Sequence, residues 1–254
     1  MTGVAYLDGR IYVSQKSNTL LVFDAGSPTF DQIGTIEVED LRVAVDLAAD
    51  LNQKLLYIAD GNMRIWKVNP KDPTSDVASF QTNNFTPLSI SFCEQSRQLV
   101  VVAIGSRKLL VYDMHDGDDI ELTMVQLPET IELKHAIRKS NGHFLVAHTG
   151  LSMTDLRHDQ VTEFDSSGKI VRSYGGWRGH GTGQLNKPLY LAVADDGSVS
   201  VADSFNGRVV RLSSTLEYVD TVVEGVPVAR LHLAEERHQM IVGQKINVGV
   251  YQLR

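Results

Sequence analysis

The side chains whose types could do chemistry are eight histidines, one cysteine, a tryptophan–arginine pair and a glycine-rich run. A metal needs imidazoles or carboxylates brought to one point, which a sequence announces as H-E-x-x-H or as closely paired histidines. No such spacing occurs here. His115, His143, His158, His180 and His238 fall in turns, His148 at the end of a strand, and His135 and His232 at or near others. A satisfied or solvated imidazole is the expectation for each, with no metal and no cofactor. Cys93 sits in the apolar run LSISFC, where an inert buried thiol is expected. A lone cysteine can build neither an internal disulfide nor a cysteine-based zinc site, so the expected compartment is reducing and cytoplasmic. The glycines of Tyr174–Lys187 do not follow G-x-G-x-x-G, and a strand follows them where a phosphate loop requires a helix. What is left is Trp177 next to Arg178, a combination common at binding hot spots and able to stack on bases or peptide side chains.

The elements that must position these residues repeat. From Tyr174 to Leu212 the order is glycine-rich loop, strand from Pro188, turn at Asp196-Gly197, strand, turn from Asp203 to Arg208, strand. Val199 and Val201 alternate with Ser198 and Ser200, the period of a strand with one packed face. Pro188 lacks an amide donor and so marks a strand start. Weaker copies place their second strands at RIYVS ending at Ser14, LLYIAD with Ala59, LVVVA at Ala103, HFLVA at Ala147, and QMIVG at Gly243, beside SVSVAD with Ala202. The interval is about 40–45 residues for most, the length of one propeller blade. The expectation is an all-β, six-bladed β-propeller with blades of four antiparallel strands, filling residues 1–254 as one domain. No apolar run approaches the roughly 18 residues of a membrane span, so no membrane partner is expected. No secretory leader is visible ahead of the strand Val4 to Leu7. The last unit shows strands only at Ala229 to Leu233, Gln239 to Gly243 and Asn247 to Leu253. Its sheet is therefore expected to lack an outer strand, leaving an edge open to strand addition, or the domain to have been cut from a longer protein.

The central unit resembles the NHL repeat, in which G-x-G-Q-[FL]-N-x-P precedes a hydrophobic-A-V strand, a D-x-x-G turn, a V-A-D strand end and an N-x-R-V strand start. The matching residues are Gly181, Gly183, Gln184, Leu185, Asn186, Pro188, Leu191, Ala192, Val193, Asp195, Gly197, Val201, Ala202, Asp203, Asn206, Arg208 and Val209. The resemblance implies a propeller of the kind found at the C-terminus of tripartite-motif ubiquitin ligases, binding RNA or partner proteins through one face. No RING or B-box spacing, coiled-coil heptad or low-complexity linker is present, so fused domains are expected outside these residues. Other six-bladed propellers are lyases or lactonases built on an axial calcium or zinc ion, and the nearest axial acids here are Asp8 and Asp46.

Strand parity places loops between second and third strands on the same face as the loops between blades. Two irregular segments fall there, His148 to Gln160 and Tyr174 to Lys187. The expected partner-binding residues are Arg157, His158, Trp177, Arg178, His180, Lys187, Phe205 and Arg208. Asp60 and Asp203 are alternatively turn residues, with Arg208 bracing the turn at Asp203. This face carries a slight positive excess in a chain of net charge -7. A non-catalytic module docking a protein or peptide is therefore expected, ahead of single-stranded RNA and of a metal-dependent lyase or lactonase.

Overall fold

The computed structural model of the chain describes residues 3–27, 29–74, 77–114, 121–151, 154, 156–244 and 248–253. Those residues form six antiparallel sheets, five of four strands and one of three. Blade one comprises β1 (Val4–Leu7), β2 (Arg10–Ser14), β3 (Thr19–Asp24) and β4 (Gln32–Glu37); blade two β5 (Ala44–Asp50), β6 (Leu55–Asp60), β7 (Arg64–Val68) and β8 (Val77–Gln81). Blade three comprises β9 (Pro87–Cys93), β10 (Gln98–Ala103), β11 (Lys108–Asp113) and β12 (Glu121–Gln126); blade four β13 (Ile131–Arg138), β14 (Phe144–Gly150), β15 (Asp159–Phe164) and β16 (Ile170–Gly176). Blade five comprises β17 (Pro188–Val193), β18 (Val199–Asp203), β19 (Arg208–Leu212) and β20 (Tyr218–Glu224), and blade six β21 (Arg230–Ala234), β22 (Gln239–Gly243) and β23 (Val248–Gln252). Each first strand packs beside the next around the ring, and β21 packs against β1 to close it.

One apolar cluster fills each of the six junctions between blades. The strands alternate because each sheet must feed two of these cores at once: Val209 packs toward blade six, and its neighbour Val210 toward blade four. Trp66 is buried in the first junction, with its indole N–H donated to the buried carboxylate of Asp60 at 3.2 Å. Cys93 is buried, as its apolar run requires.

The hairpin at Asp196-Gly197 is longer than a two-residue turn. Gly197 donates to the carbonyl of Ala194 and adopts φ 82°, and the ladder resumes only at Val193–Val199. Asp196 caps the turn by accepting from the Ser198 amide at 2.8 Å. The two long loops are also shorter than expected, because β14 continues to Gly150, β15 begins at Asp159 and β16 continues to Gly176. Tyr174 is thereby a buried core residue, not a loop residue. Ser152, Met153 and Asp155 of the first loop, and His115, lie outside the described residues.

Candidate functional site

Two places in the ring gather functional side chains, the axis and the face on which second-to-third-strand and inter-blade loops emerge, here called the upper face. At the axis, the fully buried carboxylate of Asp46 on β5 accepts from the Ile90 amide of β9 at 3.0 Å, from the Tyr190 hydroxyl of β17 at 3.2 Å and from Arg230 of β21 at 3.2 Å. His135 of β13 stacks on Tyr190 with ring centroids 3.6 Å apart, and the Arg230 guanidinium lies 5.1 Å from the same ring. One carboxylate and one aromatic ring thus tie five blades together at the centre. Desolvation pushes the Asp46 carboxyl up to about 6 despite the opposing Arg230 charge. Burial, reinforced by Arg230, holds the His135 imidazole down at about 3, so its Nδ1 is free to accept from the Leu191 amide at 3.3 Å. Apart from this cluster, the Tyr6 hydroxyl of blade one donates to Glu236 of blade six.

This cluster acts as a structural staple across the ring. Asp46 is saturated by donors, and no group of three or more His, Cys, Asp or Glu placed to hold a metal occurs among the described residues. Asp8, the other axial acid, lies at the opposite mouth of the channel and is paired with Lys54 at 2.6 Å and Lys71 at 3.3 Å. His148 is buried with its ring between the carbonyl of His158 and the hydroxyl of Thr162, and burial lowers it to about 4.

On the upper face the glycine-rich loop is held by charged groups beneath it. Asp203, fully buried at the end of β18, accepts from the Asn186 amide at 2.7 Å, from Asn206 at 2.8 Å and from Arg208 at 2.7 Å. Arg208 spends its other nitrogens on the carbonyls of His180 at 2.8 Å and Gln184 at 3.0 Å, while Asn206 donates to the carbonyl of Gly179 at 2.7 Å. Gln184 accepts from the Gly181 amide, and the Tyr174 hydroxyl from the Gly183 amide. A second buried acid, Asp159, takes a forked pair of bonds from Arg178, 2.6 Å and 3.3 Å, and a third from the Lys187 amide at 3.1 Å. Gly175 is required beside it: its φ is 97°, and a Cβ there would meet the Asp159 carbonyl oxygen at 2.5 Å.

These contacts divide the expected binding residues. Arg178 and Arg208, with side chains only 16% and 8% exposed, face inward as braces, because each must neutralise a buried carboxylate. Both therefore hold the loop from beneath, and Arg208 braces the turn at Asp203 as its position in the sequence suggested. His180 is exposed but serves the loop through its carbonyl, and His158 is half-buried with its carbonyl on His148. Outward stand Trp177, 63% exposed with the Arg157 guanidinium 6.0 Å from its ring, and Phe205, 62% exposed with the Lys187 ammonium 4.4 Å from its ring. Sequence reasoning missed their company. Met63, Ile104, Leu151 and Leu156 are all exposed large hydrophobics in second-to-third-strand loops, whereas the opposite face exposes Leu51 alone among the described large hydrophobics of its loops. The signal was one or two apolar residues in the turns of blades two, three and four, otherwise polar segments. Among these loops the channel opens as a pit of about 290 Å³, lined by Leu88, Ile104, Leu133 and Leu189, with Ser106, the Glu132–Lys134 ion pair and Arg230 as its polar groups.

No protein-family model matches the sequence, and no curated protein matches it either. Among solved structures, the chain is similar to the WD40 β-propeller domain of Doa1, with a TM-score of 0.65 and 16% identity over 99% of this chain and 81% of that one. It is also similar to the hydrazine synthase of Kuenenia stuttgartiensis, with a TM-score of 0.66 and 11% identity over 98% of this chain and 94% of that one. At these identities the likeness establishes the β-propeller fold.

Proposed function

We propose that this propeller is a non-catalytic, NHL-like binding domain that docks a protein on its upper face. The observation that carries the reading is the one-sided distribution of exposed apolar side chains: Met63, Ile104, Leu151, Leu156, Trp177 and Phe205 share that face. Exposed apolar side chains gathered on one face mark interaction surfaces, and aromatic anchors beside cations are typical of their energetic centres. The loops that carry Trp177 and Phe205 are pinned by Asp159 and Asp203, so little ordering entropy opposes docking. The central pit offers an apolar pocket for one side chain of the partner.

Protein is favoured over single-stranded RNA by charge. Arg107, Lys134, Arg178, Arg208 and Arg230 each lie within ion-pair distance of a carboxylate, which lowers the potential that would draw phosphates. A gel-shift or anisotropy titration with mixed-sequence RNA at two salt concentrations tests this ordering. Weak binding at both is expected, and tight, steeply salt-dependent binding lost in Lys187→Ala would replace protein by RNA.

A further inference from the structure

The first strand of every blade runs from the upper face toward the opposite one, so the residues of these strands line the channel level by level. Leu88, Leu133 and Leu189 belong to the upper pit, and Asp46, His135 and Tyr190 to the staple beneath it. Arg230 lines the pit and Tyr190 the next cavity down, so the staple stands between the two. That lower cavity is a chamber of about 190 Å³ with walls that include Leu47, Ile90, Leu191 and Leu231. It shares Ala49, Phe92, Val193, His232 and Leu233 with a wider lower mouth of about 440 Å³, and the two make one funnel. The mouth alone falls within the roughly 300–1,000 Å³ of ordinary ligand pockets.

Two imidazoles in the funnel have hydrogen-bonding capacity that no protein group uses. His135 is 1% exposed, and its Nδ1 accepts from the Leu191 amide, which puts the proton on Nε2. That buried N–H has no partner among the described residues: the Ile90 carbonyl, near enough to act on the ring, lies beyond hydrogen-bond distance. The His232 ring makes no hydrogen bond among the described residues either, and stands beside Tyr6 with ring centroids 6.3 Å apart. An unpaired buried donor is unfavourable, and an acceptor carried in by a ligand would satisfy it.

Burial keeps both imidazoles neutral, His135 near 3 and His232 near 4, so acids at the mouth set the charge of the funnel. Asp8, Glu94, Asp195 and Glu236 line the mouth against Lys54. Lys54 and Lys71 pair with Asp8. Glu94 accepts from the Leu51 amide and the Asn52 side chain, and Glu236 from the Tyr6 hydroxyl, all of them neutral donors. Burial, with Asp50 adding to it, holds the Glu94 carboxyl above its usual range, the direction expected of a carboxylate short of a cation.

We propose that this funnel binds a small hydrophobic amine, with the ammonium between Glu94 and Glu236, the apolar body in the chamber, and a hydrogen-bond acceptor at the far end on the His135 Nε2–H. Glu94 follows Ile90, and Asp195 follows Leu191, by four residues of sequence, which separates the acids from the His135 level by about 13 Å. The ligand is therefore elongated. Tyr6 and Phe92 add aromatic wall near the cation. An anion would meet the carboxylates, and a wholly apolar molecule would leave the His135 donor unpaired. The upper face takes no part, so either site can fail without the other.

The test adds 4-(4-aminobutyl)phenol to the purified chain near neutral pH, with 4-(4-hydroxyphenyl)butanoate and 4-phenylbutylamine as controls. Calorimetry gives affinity, and nitrogen-15 spectra of the histidine rings give location. The expected result is a Kd on the order of 10–100 μM for the aminophenol, weakened about thirtyfold or more for the carboxylate and about fivefold for the amine without the hydroxyl. The ring signals of His135 and His232 should move while those of His158 and His180 stay still. Glu94→Gln/Glu236→Gln keeps an acceptor oxygen at both positions, so the fold should persist while binding weakens about tenfold. If that variant fails to fold, Ala49→Leu fills space common to chamber and mouth and should weaken binding by about the same factor. The proposal is overturned if the aminophenol does not bind at millimolar concentration, if the carboxylate binds equally well, if the two ring signals stay still while it binds, or if binding survives both substitutions.

Discussion

Arg208→Ala is the sharpest perturbation of the upper face, because it separates bracing from partner contact. The substitution removes three bonds at once, to Asp203 and to the carbonyls of His180 and Gln184, and leaves the Asp203 carboxylate buried with only Asn186 and Asn206 as donors. Removing one member of a buried ion pair costs about 3–5 kcal/mol, and the two carbonyl bonds would add about 1–3 kcal/mol if independent. Because all of them hold one loop they overlap, and a loss of about 4 kcal/mol is expected. Urea unfolding followed by circular dichroism measures it, with amide exchange at Gly179 and Gln184 reporting the loosened loop. Replacing both charges, Arg208→Ala with Asp203→Leu, should cost less than the two single changes added together, the signature of a coupled pair. A loss below about 1 kcal/mol with unchanged exchange would refute the bracing role and return Arg208 to the partner.

Asp159→Ala should loosen both the Arg178 and the Lys187 ends of the same loop and cost about 3 kcal/mol by the same reasoning, again read by urea unfolding. Stability should fall on acidification. His135 and His148 are held near 3 and near 4 when folded, so below about 6.5 the unfolded chain binds protons that the folded chain cannot. By pH 5 that amounts to about 2 kcal/mol for each. Asp46 acts in the opposite sense: its raised carboxyl takes up a proton in the fold as pH drops through about 6, returning about 1.4 kcal/mol by pH 5. With His232, held near 4 by the same burial, adding about 2 kcal/mol more, the net expectation is a loss of about 4–5 kcal/mol between pH 7.5 and 5, and stability flat across that range would contradict the buried neutral imidazoles. Trp177→Ala and Phe205→Ala, by contrast, should each change stability by less than about 0.5 kcal/mol, because both rings are already in solvent.

The fold was legible because strand alternation, turn residues and the blade-length repeat are local signals written into every unit. The three-stranded last blade could be read for the same reason: the sequence after Gly243 holds one further apolar run and no second. The site was legible only in outline. The exposure of Trp177 and Phe205 could be anticipated because they are aromatic residues in loops, which is a property of the residue itself. The bracing of the Asp203 turn by Arg208 was legible from their spacing, whereas the inward turn of Arg178 was hidden because it depends on Asp159 being sealed from water, a consequence of packing between β15 and the loop. The axial staple was hidden likewise. Asp46, His135, Tyr190 and Arg230 are separated by whole blades and meet only when the ring closes. Ile104 and Met63 gave no signal alone, since one exposed hydrophobic residue is ordinary and six on one face are not.

The central claim is that the upper face docks a protein through its apolar loops. The direct measurement is affinity for a purified protein partner, identified by proximity labelling, in the Trp177→Ala/Phe205→Ala double variant and in Leu51→Ala on the opposite face. The account predicts at least a hundredfold weaker binding for the double variant, about 3 kcal/mol, with Leu51→Ala and the unfolding midpoints unchanged. Binding lost in Leu51→Ala and kept in the double variant would contradict it.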